Sequence, residues 1–194
     1  MECWRTTIKS VIVDGVGKTT VARLLAEQLQ CEFVEKPFHL LLDTLPVADA
    51  YRVITGQVNS CPVNVRAWFY GTGLMCLSEQ YAGQNLITDR YLLSNYAWNS
   101  AEGNKVLFDV LVNQVRIPDM TVLLTAPPGI ITQRIRGRNA TDPDLTKVLD
   151  NQERLRKMRY FLQKYRIPSM EIDTSNCTPK QIAQQIIHGI KKRA

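Results

Sequence analysis

Apolar and polar positions alternate in blocks along this chain. Residues 5–13 (RTTIKSVIV) are β-branched and apolar and read as a strand; beyond a glycine turn, Val21, Leu24, Leu25 and Leu29 recur at helical spacing. The run CEFVE, residues 31–35, reads as a second strand that stops at Lys36-Pro37, because proline turns the residue before it away from helix. From 38 to 84 the pattern is mostly helical, broken near Pro46 and near Ser60-Cys61-Pro62. Residues 85–88 form a short buried strand ending at Asp89, and helices are expected at about 92–101 and 104–115. MTVLLT, residues 120–125, is another buried strand, set between Pro118-Asp119 and Pro127-Pro128. A helix over about 129–137 leads into the polar stretch GRNATDPD, and a long basic helix follows to about 165. Residues 169–173 make a last strand, and Thr178-Pro179 opens a final helix with threonine as cap and proline in the first turn.

Five short apolar strands separated by helices predict a parallel sheet covered on both faces. The expected fold class is therefore α/β, a doubly wound three-layer sandwich with a five-stranded parallel sheet, in one domain spanning 1–194.

Composition narrows the picture. With 45% hydrophobic and 22% charged residues the chain can bury a real core, which excludes a disordered or fibrous protein. No stretch approaches the roughly 18–20 apolar residues of a membrane span. The opening MECWRTTIKS has neither an apolar core nor a small-residue cleavage site, so a cytoplasmic protein without a secretory signal is expected. Five cysteines, an odd number without metal-ligand spacing, read as reduced thiols. The formal charge of +6 fits either a nucleic-acid binder or a site for a polyanionic small molecule. Basic residues crowd the segment from Arg134 to Arg166, where most would simply solvate a helix face. His39 and His188 have no cysteine or carboxylate cluster around them, so no metal other than nucleotide-borne Mg²⁺ is expected.

Between the first strand and the first helix stands Asp14-Gly15-Val16-Gly17-Lys18-Thr19-Thr20. A glycine-rich turn running into a helix points backbone N–H groups and the positive end of the helix dipole at one spot, where phosphate oxygens bind. Lys18 would reach the β- and γ-phosphates and the Thr19 hydroxyl would ligate Mg²⁺. The full pattern G-x-x-x-x-G-K-[ST] wants glycine where this chain has Ile12. Either the loop is entered differently here, or a few residues have been lost between Val13 and Asp14. Asp89-Arg90-Tyr91 follows the third strand, at the carboxyl edge where ligands sit in such sheets. Asp89 is a candidate Mg²⁺ ligand, and Arg90 could neutralise an acceptor phosphate; a plain structural ion pair is the alternative.

In order, DGVGKTT, TDRYLLSNYAW and PDMTVLLTAPPGIITQRIRGR resemble the thymidylate kinase family and its neighbours among nucleoside and nucleotide kinases. The resemblance covers most of the chain. It implies a P-loop core like that of the nucleoside monophosphate kinases, with phosphoryl transfer from ATP and Mg²⁺. Asp89, Arg90, Tyr91, Ser94 and Ala97 match the acceptor-site signature, with Trp98 just beyond it, and Arg134 and Arg138 match the pair that begins a small helical lid over about 134–150. By resemblance, a closing lid would bring Arg134, Arg136 and Arg138 over the transferring group and exclude water. Lys18, Arg90, Arg134 and Arg138 are then the candidate catalytic residues.

The acceptor end matches less well. Glu35-Lys36-Pro37-Phe38 is similar to the glutamate-proline element of deoxynucleoside kinases, in which the glutamate is a general base towards a sugar hydroxyl. Of the aromatics Trp68-Phe69-Tyr70, Phe69 is the candidate for stacking on a base, with core packing as the alternative. The family's base-reading arginine falls at Leu74, where Arg52 or Arg66 could substitute. The leading expectation is a kinase for a nucleoside monophosphate, dTMP by default. The alternatives are a deoxynucleoside kinase with Glu35 as base, a nucleotide-binding homologue without catalysis and, last, a nucleic-acid binder. Members of the family are commonly homodimers through helices beside the third strand, and the apolar 104–115 helix is the candidate surface.

Overall fold

The computed structural model describes residues 8–11, 17–44, 49–142, 145–146, 148 and 150–192. In chain order the elements are β1 (Ile8–Val11), α1 (Lys18–Leu29), β2 (Glu32–Val34), α2 (His39–Leu42), α3 (Ala50–Asn59), α4 (Val63–Gln80), β3 (Leu86–Thr88), α5 (Leu92–Asn99), a 3₁₀ turn (Glu102–Asn104), α6 (Lys105–Gln114), β4 (Met120–Thr125), α7 (Pro128–Arg138), α8 (Asn151–Lys164), β5 (Ser169–Asp173) and α9 (Pro179–Lys191). No described helix is long and apolar enough to cross a membrane.

Every described strand pair is parallel, as continuous apolar runs with helical crossovers require. The expected single five-stranded sheet is instead two ladders, β1–β4–β5 and β2–β3. β1 lies beside β3, but no ladder joins them among the described residues. Register bears on this: β3 has three residues, and β1 slips against β4 between Ile8 and Val11. A strand that short and irregular offers few aligned N–H and C=O groups to a second neighbour.

β3 is buried throughout and β4 is buried from Met120 to Leu124. α1 turns Val21, Ala22, Leu25 and Ala26 into the core and packs against α9, whose Ile182, Ala183, Ile186 and Ile190 form a matching stripe. α9 begins with a reciprocal cap: the Thr178 hydroxyl accepts from the Gln181 backbone N–H, while the Gln181 side chain accepts from the Thr178 N–H. α4, α6 and α8 all pack on α5, and of its residues only Trp98 is not buried. Tyr96, Phe108 and Phe161 interlock there, with ring centroids 4.9 and 4.7 Å from Tyr96.

Parallel strands send their carboxyl ends to one edge. Thr88 leads there to Asp89, and Thr174, just after β5, donates both its backbone N–H (2.8 Å) and its hydroxyl (3.0 Å) to the Thr125 carbonyl at the end of β4. This stitching fixes the edge on which the site is built.

Phe161 is fully buried between Tyr96 and Tyr165. Phe161→Ala should cost about 3–5 kcal/mol in chemical denaturation, from lost apolar transfer plus the cavity left behind. A loss under about 1 kcal/mol would show that α8 does not help to hold the fold.

Candidate active site

α1 starts at Gly17, whose φ of +78° is the left-handed region where glycine carries no steric penalty. Lys18 and Thr19 follow in the first turn, with Thr20 exposed beside them. Asp14, Gly15 and Val16, together with Ile12, lie outside the described residues. Thr19 Oγ1 donates to Asp89 Oδ2 at 2.5 Å, so the first turn of α1 and the end of β3 meet across 70 residues of sequence. Asp89 is 1% exposed, and its other oxygen, Oδ1, is buried with no hydrogen-bond partner. A buried anionic oxygen left unpaired beside a threonine hydroxyl suits a hard, oxygen-preferring cation such as Mg²⁺.

Beside this pair lies a cavity of about 490 Å³. Its walls come from the loop after β2 (Lys36, Pro37, Phe38), from α3 (Tyr51, Thr55, Asn59), from α4 (Arg66, Tyr70, Leu74), and from Arg90, Tyr91 and α5 (Ser94, Asn95, Trp98, Asn99). Lys36 sits at φ +58°. Arg66, Tyr70 and Leu74 share one face of α4 because they are four residues apart. Two more buried polar atoms without partners belong to this cavity's walls, Arg66 Nε and Ser94 Oγ. With Asp89 Oδ1, all three such side-chain atoms among the described residues gather at one place. Native interiors leave few polar groups unpaired, so this clustering marks a site that a polar ligand completes.

Of the expected acceptor residues, Lys36, Phe38, Arg90, Tyr91, Ser94 and Trp98 line the cavity. Phe69 does not. Its ring stacks on Phe38, centroids 4.1 Å apart, and its neighbour Tyr70 lines the cavity instead. The Phe38 ring lies close on α4 because residue 73 is glycine: a Cβ there would come within 2.6 Å of it. Glu35 is also outside the cavity lining, held by Arg23 at 3.0 Å and Lys36 at 3.2 Å. Partial burial works to raise its pKa, but the hydrogen bonds and charges of Lys36 and Arg23 outweigh this and hold it below the ordinary carboxylate value. Arg52 pairs with Asp49 at 2.7 Å with its side chain largely in solvent, whereas Arg66 is a cavity wall.

The arginines after β4 belong to the end of α7, and no α-helix is described between Arg138 and Asn151, where a helical lid was expected. Arg134 donates to the Thr174 hydroxyl (2.8 Å) and carbonyl (2.6 Å), which ties it to the sheet edge. Arg138 pairs with Asp142 at 2.6 Å, and Arg136 is exposed. Arg154 of the basic helix α8 lies over the Trp98 ring, 4.4 Å from its centroid, and so backs one cavity wall.

Sequence reasoning missed the polar lining of α5. Asn95 Nδ2 donates to the Ala67 carbonyl (2.9 Å), Asn99 Nδ2 to Asn95 Oδ1 (2.9 Å), and Asn104 Nδ2 to the Asn99 carbonyl (2.8 Å). The signal was available: asparagines four apart in a helix otherwise rich in apolar residues need buried partners. His39 pairs with Asp43 at 2.7 Å and stacks on Tyr51, 3.9 Å between centroids, so it braces a cavity wall.

Residues 77–186 match the family model for thymidylate kinase. A probable thymidylate kinase of Thermococcus onnurineus is 26% identical over 204 residues, covering 93% of this chain and 97% of that protein. Among solved structures, thymidylate kinase from Candida albicans superposes with a TM-score of 0.68 at 17% identity, covering 97% of this chain and 92% of the other. Deoxyadenosine kinase from M. mycoides, with dCMP and dCDP bound, also gives 0.68, at 16% identity and covering 96% and 100%. At those identities the two structures share the fold, the α/β arrangement of the P-loop nucleotide and nucleoside kinases.

Burial pushes the Tyr91 phenol from 10.0 up to about 12, and its hydroxyl donates to the Arg116 carbonyl at 2.9 Å. The folded chain keeps a proton that the unfolded chain releases, so this contribution is complete below pH 10 and is lost as pH rises towards about 12. Denaturation midpoints should fall across that window, and Tyr91→Phe should make the fall shallower. An unchanged slope would contradict the assignment.

Proposed function

The chain belongs to the thymidylate kinase family and is a nucleotide kinase, and on that premise we propose that it transfers the γ-phosphoryl group of ATP to a nucleoside monophosphate, dTMP becoming dTDP. The observation that carries this reading is the Thr19–Asp89 pair standing at the sheet edge next to a cavity that carries Lys36 and Arg90. A donor end with a cation site and an acceptor end with positive charge are what phosphoryl transfer between two nucleotides needs.

In this reading residues 14–20 hold the donor phosphates with main-chain amides, and Lys18 reaches the β- and γ-oxygens. Thr19 and Asp89 would hold Mg²⁺, which when bound neutralises donor phosphate oxygens. Arg90 and Lys36 draw the acceptor phosphate in line, Tyr91 and Ser94 shape its seat, and Phe38, Tyr70 and Trp98 supply faces for the base. Arg134 and Arg138 close over the transferring group from a lid over about 134–150, within the single domain of 1–194. The doubly wound arrangement would become one five-stranded sheet if β1 joined β3.

The nucleoside reading, with Glu35 as base, ranks second. Glu35 stands outside the cavity lining, and two cations hold it ionised with a lowered pKa, which weakens it as a proton acceptor. A nucleic-acid-binding role ranks lower still, because charges of the basic helix are already paired: Arg156 with Glu153, Arg159 with Glu171 of β5 and Lys164 with Asp109 of α6. The four described cysteines are free thiols, in keeping with a cytoplasmic setting. A homodimer would cover Val65, Trp68 and Met75 of α4 and Val106 and Val110 of α6, all exposed on two helices that pack together.

A coupled assay with ATP over deoxynucleoside monophosphates and deoxynucleosides should give turnover with dTMP, and Asp89→Asn should lower kcat about a hundredfold or more. Turnover of deoxynucleosides alone would overturn the monophosphate reading. Light scattering should return twice the 22.1 kDa chain mass, and Trp68→Glu should halve it. A wild-type monomer would exclude the dimer.

A further inference from the structure

Among the described residues only two charged ones are buried, Asp89 at 1% and Arg154 at 9% exposed. Asp89 is bonded to Thr19 at the sheet edge. Arg154 belongs to α8 and is not itself part of the cavity lining, yet its place is a costly one for a cation. It stands near the N-terminus of α8, the helix end that disfavours positive charge, and the Asp150 carboxylate is 3.8 Å away and largely in solvent. A methionine or leucine would fill the space without the desolvation cost, so packing alone does not call for a guanidinium here. What the guanidinium covers is the Trp98 ring, 4.4 Å from its centroid. Such an attraction is strongest where the cation is out of water. Lys157, three residues further along α8, donates to the Ser100 carbonyl just past α5, at the helix end that favours a cation. Two cations of α8 thus seat the end of the helix that carries Trp98.

Trp98 is the one residue of α5 that is not buried, and it is a wall of the cavity. The other aromatic walls are braced: Phe38 stacks on Phe69 and Tyr51 on His39, while the hydroxyls of Tyr70 and Tyr91 donate to Asn59 Oδ1 and the Arg116 carbonyl. We propose that Arg154 is a positioning residue of the acceptor site, its guanidinium holding the Trp98 ring in place as a wall, an inference that rests on reading this cavity as the acceptor site. A ring fixed in advance loses less freedom when a ligand arrives, so the gain falls on acceptor affinity and not on the phosphoryl step. A residue that only anchored α8 to α5 would act on stability instead, and one that touched the ligand would act without Trp98.

The test is calorimetric binding of dTMP to the full chain, with ATP-dependent turnover and thermal melts alongside. Arg154→Met should weaken dTMP binding about tenfold and raise its KM alike, with kcat within about threefold of wild type. Arg154→Lys, which keeps a cation but not the planar face, should recover part of the loss. In a Trp98→Ala background Arg154→Met should weaken binding by less than about twofold further, because the ring it holds is gone. With Trp4→Phe and Trp68→Phe in place, acrylamide should quench Trp98 more readily in Arg154→Met than in its parent. Unchanged dTMP affinity in folded Arg154→Met, equal quenching, a full further loss in the Trp98→Ala background, or a fall in kcat without a change in KM overturns the proposal. Arg154→Gln decides if Arg154→Met does not fold, and failure of both to fold makes Arg154 an anchor of the fold and overturns the proposal too. A wild type that does not bind dTMP overturns the acceptor reading and the proposal with it. One that binds dTMP but transfers nothing overturns only the kinase reading, and the variants still decide for Arg154.

Discussion

The hydrogen bond from Thr19 to Asp89 ties together, at the edge of a shared core, two parts of the chain that lie far apart in sequence. One partner sits in the first turn of a helix, directly after the glycine-rich segment. The other ends a three-residue strand from the middle of the chain. Sheet edge, helix start and cavity mouth share this point, since Arg90 begins the cavity wall one residue after Asp89. A carboxylate so buried, with one oxygen committed and the other unpaired, carries a desolvation penalty that an electropositive ligand would offset.

The cavity beyond that point owes its shape to α5. Buried on nearly all sides, this helix cannot carry polar residues without assigning each a partner, and its asparagines are tied to α4 and to the 3₁₀ turn. α8 adds support from behind, where Arg154 covers the Trp98 ring and Lys157 donates to the Ser100 carbonyl at 3.2 Å. Walls fixed by buried hydrogen bonds lose little conformational freedom when a ligand arrives, which favours binding by preorganisation.

Most of the architecture was readable in the chain because hydrophobic periodicity reports directly on helices and buried strands. Val21 and Leu25 lie where their spacing put them, the last helix begins at the Thr178-Pro179 cap, and Pro37, Pro62 and Pro127 stand at element boundaries. The continuity of the sheet was not readable, because whether β1 pairs with β3 depends on register, which composition does not encode. Within the site, local motifs located Lys36, Arg90 and Ser94 in sequence, while distinctions between similar neighbours depended on packing. Phe69 and Tyr70 are adjacent aromatics about 100° apart around a helix, and only the position of Phe38 decides which one meets the cavity. Arg52 and Arg66 are equally basic, yet Asp49 holds the first in solvent. Arg134 bonds to Thr174 across 40 residues of sequence, a contact that no local pattern announces.

The missing side chain at Gly73 has a further meaning. Phe38 rests against bare helix backbone there and stacks on Phe69, one turn earlier on the same helix. The depth of the cavity floor is thus set by one absent methyl group on the hidden side of a wall, at a position no bound molecule would touch. Room for a larger or smaller ligand can therefore be gained or lost here through a change invisible from inside the pocket.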